Sequence, residues 1–222
     1  MLLSLNCMLN IDWNKIDDYS QEQITYFLYL EGKSINSICK IRNLSKEIIE
    51  TQIIDGKIKY GILAKSKNVK ELFKTISMSG KSDKIYVLEN LNGLNKNKLV
   101  EFIKSNYTSM RTGDKENAIW ILGELKIKEA VDVLIKGIVH KHVNIRRMAV
   151  SALGKLGDKS GESALIRALE DDNPQVVMYA IKALIKIKSS RAVEKVRNIE
   201  DSSCKLYVKN SAKEYLNSVE SF

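Results

Sequence analysis

Proline is nearly absent from this 222-residue chain: Pro174 is the only one, and glycines number 11. So small a supply of turn formers argues against many β-turns and for long helices joined by short connections. Cysteine is also scarce. Cys7, Cys39 and Cys204 lie far apart, and none belongs to a C-x-x-C pair. That spacing argues against a zinc site or a redox dithiol and fits the reduced thiols of a cytoplasmic protein. No apolar run is long enough to span a bilayer, so no membrane role is expected. The stretch Met1 to Leu9 is apolar but lacks a basic flank, and Asp12 soon interrupts it. It reads as a short helix packing on the next domain rather than a secretory signal.

Catalytic signatures are missing as well. The only two histidines sit in His140-Lys141-His142, with no H-E-x-x-H and no G-x-S-x-G anywhere. Gly80-Lys81-Ser82 lacks the upstream glycine of a phosphate loop. The sequence therefore predicts no enzyme, no cofactor and no metal site.

What the chain does have is a period. Ala118, Ala149 and Ala180 recur at 31 residues, and so do Leu122, Leu153 and Leu184. Ala130, Gly161 and Ala192 keep the same step, as do Leu134, Leu165 and Val196. A fixed period of this length predicts stacked supersecondary units, each burying a face that its neighbours must cover. Each unit reads as two helices. In the third, Met148 to Leu156 form the first helix and Gly157-Asp158-Lys159-Ser160 the joint. Ser160 is placed to cap a second helix carrying Ala164, Leu165, Ala168 and Leu169. Small residues at fixed positions let successive helices approach closely. Residues 85–115 keep the period in degraded form, and residues 209–222 read as a final half-unit.

The string RRMAVSALGKLGDKSGESALIRALEDDNPQVVMYAIKAL resembles bacterial HEAT repeats of the phycobilisome-lyase type. Ile145-Arg146, Gly154, Leu156, Gly157, Asp172 and Val176 match that pattern, whereas Val177 stands where an arginine is frequent. The resemblance implies an all-α, right-handed α-solenoid of HEAT-like helix pairs whose second helices line the concave face. It does not imply lyase activity, since fold analogy leaves function open. The pocket of HEAT-like DNA glycosylases is not assembled, because Trp120 falls on a first helix and Trp13 outside the repeats.

Upstream, Ser20-Gln21-Glu22-Gln23 is a capping-box pattern. Ser34 and Ser45 are placed to cap two more helices, with Ile35, Ile38, Cys39, Ile48, Ile49 and Ile53 facing inward. The string YLEGKSINSICKIRNLSKEIIETQI is similar to a small helix-turn-helix domain found at the tail of some helicases, through Gly32, Ser34, Ile35, Ile38, Arg42, Leu44 and Ser45. In a DNA-binding version the third helix enters the major groove, and Lys46, Thr51 and Gln52 become possible nucleic-acid contacts. The competing reading is a protein-docking or packing role, since Glu47 and Glu50 outnumber Lys46 there. The expected organisation is an N-terminal segment over 1–16, the helix-turn-helix-like domain over 17–64, a linker with a short helix and a flexible joint over 65–84, and the HEAT-like domain over 85–222.

Net charge is +9 but uneven: residues 61–115 hold 11 Lys/Arg against 5 Asp/Glu, and residues 178–222 hold 9 against 5. The excess suits an acidic partner or nucleic acid, or simply a solvated lysine-rich surface. On the second helices, Lys136 and Arg167 are equivalent positions followed by Asn198, and Asp132, Ser163 and Glu194 form a parallel polar row. His140, Lys141, His142, Arg146 and Arg147 add a basic edge, although Arg146 also fits a bond to the loop of an adjacent unit. The predicted function is a cytoplasmic, non-catalytic scaffold or adaptor that binds a protein partner on these rows. The alternative is a DNA-binding regulator using the N-terminal helices and the basic flanks.

Overall fold

A computed structural model of the chain describes residues 7–9 and 11–219. Among these there are helices, turns and loops but no strand. The chain forms two compact units, Met1–Phe102 and Ile103–Phe222.

In the first unit a 3₁₀ turn over Trp13–Asp18 precedes α1 (Gln21–Leu30), α2 (Ile35–Arg42) and α3 (Lys46–Lys65). The three caps form as their residue types dictate. Ser20 accepts from Gln23 N while the Gln23 side chain accepts from Ser20 N, and Ser34 and Ser45 accept from Ser37 N and Ile48 N. Asn43 ends α2 in the left-handed region at φ 51°. Ile38, Ile49 and Ile53 make a buried cluster that Ile35, Cys39 and Leu44 flank. Ile48, expected inward, is instead 46% exposed. It stands about 100° around the helix from Ile49 and so points away from the buried line.

Gly56 lies under the ring of Tyr26, where an added Cβ would sit 2.3 Å from Tyr26 Cγ. This glycine lets α1 cross α3 closely, and Phe27 and Tyr60 pack beside it with ring centroids 6.2 Å apart. The helix expected over Met1 to Leu9 falls largely outside the described residues. Cys7 to Leu9 are not helical. Met8 N donates to Ser66 O (2.7 Å) and Leu63 O (3.2 Å), while Asn95 Nδ2 donates to Met8 O (2.9 Å). These bonds use carbonyls at the end of α3 and tie the segment down without helical turns. α4 (Val69–Met78), α5 (Lys81–Glu89) and α6 (Gly93–Asn106) follow. The joint expected over Ser77 to Asp83 shortens to residues 79–80, because Gly80 caps α5 and Lys81 to Asp83 form its first turn.

The second unit holds first helices α7 (Thr112–Glu124), α9 (Val143–Leu156) and α11 (Pro174–Lys186). Second helices are α8 (Val131–Ile138), α10 (Glu162–Ala168) and α12 (Val193–Ser202). α13 (Leu206–Val219) closes the series against α11 and α12. α9 packs between α7 and α11, and the contact repeats in register. A Cβ on Gly123 would sit 2.8 Å from Ala152 Cβ, and one on Gly154 would sit 2.9 Å from Ala183 Cβ. Ala118, Ala149, Ala180, Leu134, Leu165 and Val196 are all fully buried. Glu124 and Lys155, one period apart, form an ion pair of 2.5 Å between adjacent first helices.

The cap of α10 differs from the expected one. Asp158 accepts from Ser160 N (2.8 Å), Lys159–Gly161 makes a 3₁₀ turn, and α10 itself has no side-chain cap. Asp158, two residues before Ser160, caps the 3₁₀ turn instead, and that turn takes up Ser160.

Lys126, Gly157 and Lys188 end the three first helices, one period apart, and all three have positive φ of 51°, 68° and 52°. Ile127 N donates to Leu122 O and Ser189 N to Leu184 O, whereas in the middle unit Gly157 N itself donates to Leu153 O, so each first helix ends through a left-handed residue. Only Gly157 adopts it without a Cβ penalty. Lys126→Gly and Lys188→Gly should therefore each raise the unfolding free energy by about 0.5–1 kcal/mol, read as a higher urea midpoint.

Candidate functional site

The surface that repeats with the period is the outer side of the second helices. Apolar residues at 3–4 spacing on α8 (Val133, Leu134, Gly137, Ile138) turn inward. This leaves Asp132 and Lys136 outward, 59% and 60% exposed and paired at 3.9 Å. On α10, Ala164, Leu165 and Ala168 turn inward and Ser163 and Arg167 face solvent, while Glu170 is exposed just past the helix end. On α12 only Val196 is buried, so Glu194, Lys195, Arg197 and Asn198 are exposed. Lys195 Nζ reaches Glu170 Oε1 at 2.5 Å, and Arg197 lies 3.4 Å from Glu194.

The expected rows are therefore solvent-facing, with a basic row (Lys136, Arg167) running beside an acidic one (Asp132, Glu194). Exposed pairs of this kind contribute little to stability and exchange partners easily. The hydrogen bond from Lys195, and then its charge, hold the Glu170 carboxyl below its ordinary value. Neither residue stood out in the sequence, because each lies off the 31-residue register that picks out Lys136 and Arg167.

The loop before α9 is arranged differently. Arg146 Nε donates to Asp171 Oδ2 (2.6 Å) and Nη2 to Asp171 Oδ1 (2.9 Å). Its Nη1 donates to the carbonyls of His140 (3.0 Å) and Lys141 (3.2 Å). Arg146 thus staples the loops of adjacent units, and its charge is spent within the fold. The rings of His140 and His142 stack 5.3 Å apart, and His142 N donates to His140 Nδ1. Desolvation, then Lys115, His142, Lys141 and Arg146, lower the His140 pKa. Lys141 is exposed and Arg147 half-buried.

At the start of α3, Lys46 lies 3.8 Å from Glu50. Thr51 Oγ1 donates to the carbonyl of Glu47 (2.9 Å), and Gln52 Oε1 accepts from the buried Thr25 hydroxyl (2.6 Å). The side chain of Gln52 is thus turned onto α1. Sequence spacing did not reveal this, because Thr25 lies 27 residues away. Further along, Ile54 and Ile58 are 56% and 67% exposed. Their i, i+4 spacing on the side opposite Ile49 and Ile53 was the available signal.

Among the described residues, no group of three or more His, Cys, Asp or Glu side chains is placed to hold a metal ion. No helix among them is long and apolar enough to cross a membrane.

The family model for HEAT repeats matches residues 100–162 and 143–217. No curated protein matches the chain. Among solved structures, the crystal structure of an engineered protein is similar, with a TM-score of 0.53 and 16% identity. The match covers 91% of this chain and 98% of that one, and at that identity it speaks for the fold alone.

Proposed function

The chain belongs to the HEAT-repeat family, and from that we propose that it is a non-catalytic, cytoplasmic scaffold or adaptor that holds a protein partner along the second helices. The observation that carries this reading is the exposed surface on α8, α10 and α12, where a basic row (Lys136, Arg167) runs beside an acidic one (Asp132, Glu194). Its side chains stay in solvent while the first helices are consumed by packing. A protein segment of mixed charge complements such a surface, whereas a phosphate backbone favours one of uniform positive sign. Lys136 and Arg167 steer the partner, and Asp132, Glu194 and Asn198 fix its register. Lys141 and Arg147 extend the edge beside His140. The A-x-x-A-L-G pattern supports grouping the repeats with the phycobilisome-lyase type. The caps and core of α1 to α3 support a helix-turn-helix-like module that docks protein.

Nucleic acid is the alternative occupant, through Lys46, Thr51 and Gln52 and the basic flanks. The bond from Thr25 to Gln52 and the nearby Glu47 and Glu50 weigh against it. Recovery of partners from extracts of the native host, with wild type beside Lys136→Glu/Arg167→Glu, separates the readings. Recovery of a protein partner should fall about tenfold in the variant, with helix content unchanged. Unchanged recovery removes these residues from the site. Duplex DNA bound by wild type with a steep salt dependence would favour the alternative.

A further inference from the structure

α3 is 20 residues long, and its outward face carries an ordered pattern whose apolar side chains stay exposed among the described residues. Glu47, Thr51, Ile54, Ile58, Gly61 and Lys65 follow one another at alternating intervals of four and three residues. That interval keeps all six on one narrow stripe of the helix, the spacing of a two-helix seam. The stripe lies away from the buried Ile49, Ile53 and Gly56. Its two isoleucines are 56% and 67% exposed.

Gly61 sharpens the point. A Cβ there would meet nothing within 4 Å. A glycine inside a helix costs about 0.5–1 kcal/mol relative to alanine, so its absent side chain has no use within the fold. Gly56 on the same helix shows the contrast, since Tyr26 occupies the space its side chain would need.

The order of the six residues is self-complementary. Laid against a copy of itself running in the opposite direction, with the two-fold axis between Ile54 and Ile58, the stripe matches at every layer. Ile54 meets Ile58 of the second copy, Thr51 meets Gly61, and Glu47 meets Lys65. The acid sits at the N-terminal end and the base at the C-terminal end, so antiparallel pairing joins opposite charges twice. Parallel pairing sets Glu47 against Glu47 and Lys65 against Lys65. An isologous contact requires this kind of self-match. We propose that two copies of this chain pair through the outward face of α3, antiparallel, with the Ile54–Ile58 layers at the centre and Glu47–Lys65 pairs at both ends.

Sedimentation equilibrium of the full chain between about 5 and 300 µM tests the pairing, a range suited to a modest interface. Wild type should associate to a dimer within it. Ile54→Lys/Ile58→Lys should weaken association more than about a hundredfold, because it places like charges in the apolar layers. Circular dichroism should show unchanged helix content, since both side chains face solvent in the single chain. Glu47→Lys and Lys65→Glu should each weaken association about tenfold, and the double exchange Glu47→Lys/Lys65→Glu should restore it. A monomer at all concentrations overturns the proposal. So does a dimer indifferent to Ile54→Lys/Ile58→Lys, or one in which the double exchange is no better than the singles.

Discussion

Arg146→Ala should lower the unfolding free energy by about 3–5 kcal/mol. Both partners are withdrawn from water: the Arg146 side chain is 17% exposed and that of Asp171 is 9% exposed. The guanidinium fork meets the carboxylate at 2.6 and 2.9 Å and also takes two loop carbonyls. Removing it leaves a carboxylate in a site of low polarity with only Asn173 N as a close donor. Arg146→Lys should recover part of the loss, since an ammonium keeps the charge but cannot span both carboxylate oxygens and two carbonyls.

The pH dependence identifies the source. Burial pushes the Asp171 carboxyl up, but the Arg146 hydrogen bond, the Asn173 N–H and the Arg146 charge together outweigh it, so the net shift is downward. A depressed folded value stabilises above the unfolded pKa of about 3.9, and that contribution is lost as pH falls through the folded value. In Arg146→Ala, burial acts without its main opponent and Asp171 titrates upward. The gap between wild type and variant should therefore be wide at pH 7 and shrink below about pH 4. Urea unfolding at pH 7 and pH 3 measures it. An equal gap at both values would mean that lost packing, rather than the ion pair, accounts for the effect.

Gly154→Ala should destabilise by about 1–3 kcal/mol, opposite in sign to what helix propensity alone gives. In an isolated helix this change gains about 1 kcal/mol. Here the added carbon would fall 2.9 Å from Ala183 Cβ and 3.1 Å from Ala183 Cα, so α9 and α11 must move apart. Gly123→Ala should behave alike at the preceding step, where Ala152 takes the place of Ala183. Equilibrium unfolding in urea decides the sign, and a gain in stability for either variant would refute close stacking at that position.

These two sites show how unevenly the sequence speaks. Gly154 was legible because it sits beside alanines that recur with the repeat, and a period exposes the residues on which packing depends. The three serine caps of the first unit were legible because capping is settled within four residues of chain. Asp158 displaced Ser160 as the capping side chain because two short polar residues competed for one turn, and propensity alone does not rank them. Tyr215 gave no signal. Fully buried, it donates its hydroxyl proton to Ser189 O at 2.6 Å and accepts from Ala192 N, fastening α13 to the last joint. The link spans 26 residues and falls outside the period.

The sequence by itself determined the helices, the 31-residue step and the residues each step buries, because periodicity, capping and small-residue spacing are local or repeated and need no knowledge of neighbours. Only the tertiary structure decided which polar side chains are consumed and which stay free. It turned Gln52 onto Thr25, gave Arg146 to Asp171, drew Lys195 to Glu170, and left Ile54 and Ile58 in solvent. The physical reason is that a charge or an amide finds its partner through distance in space. Helix packing brings together residues 25 or more positions apart that no local pattern connects.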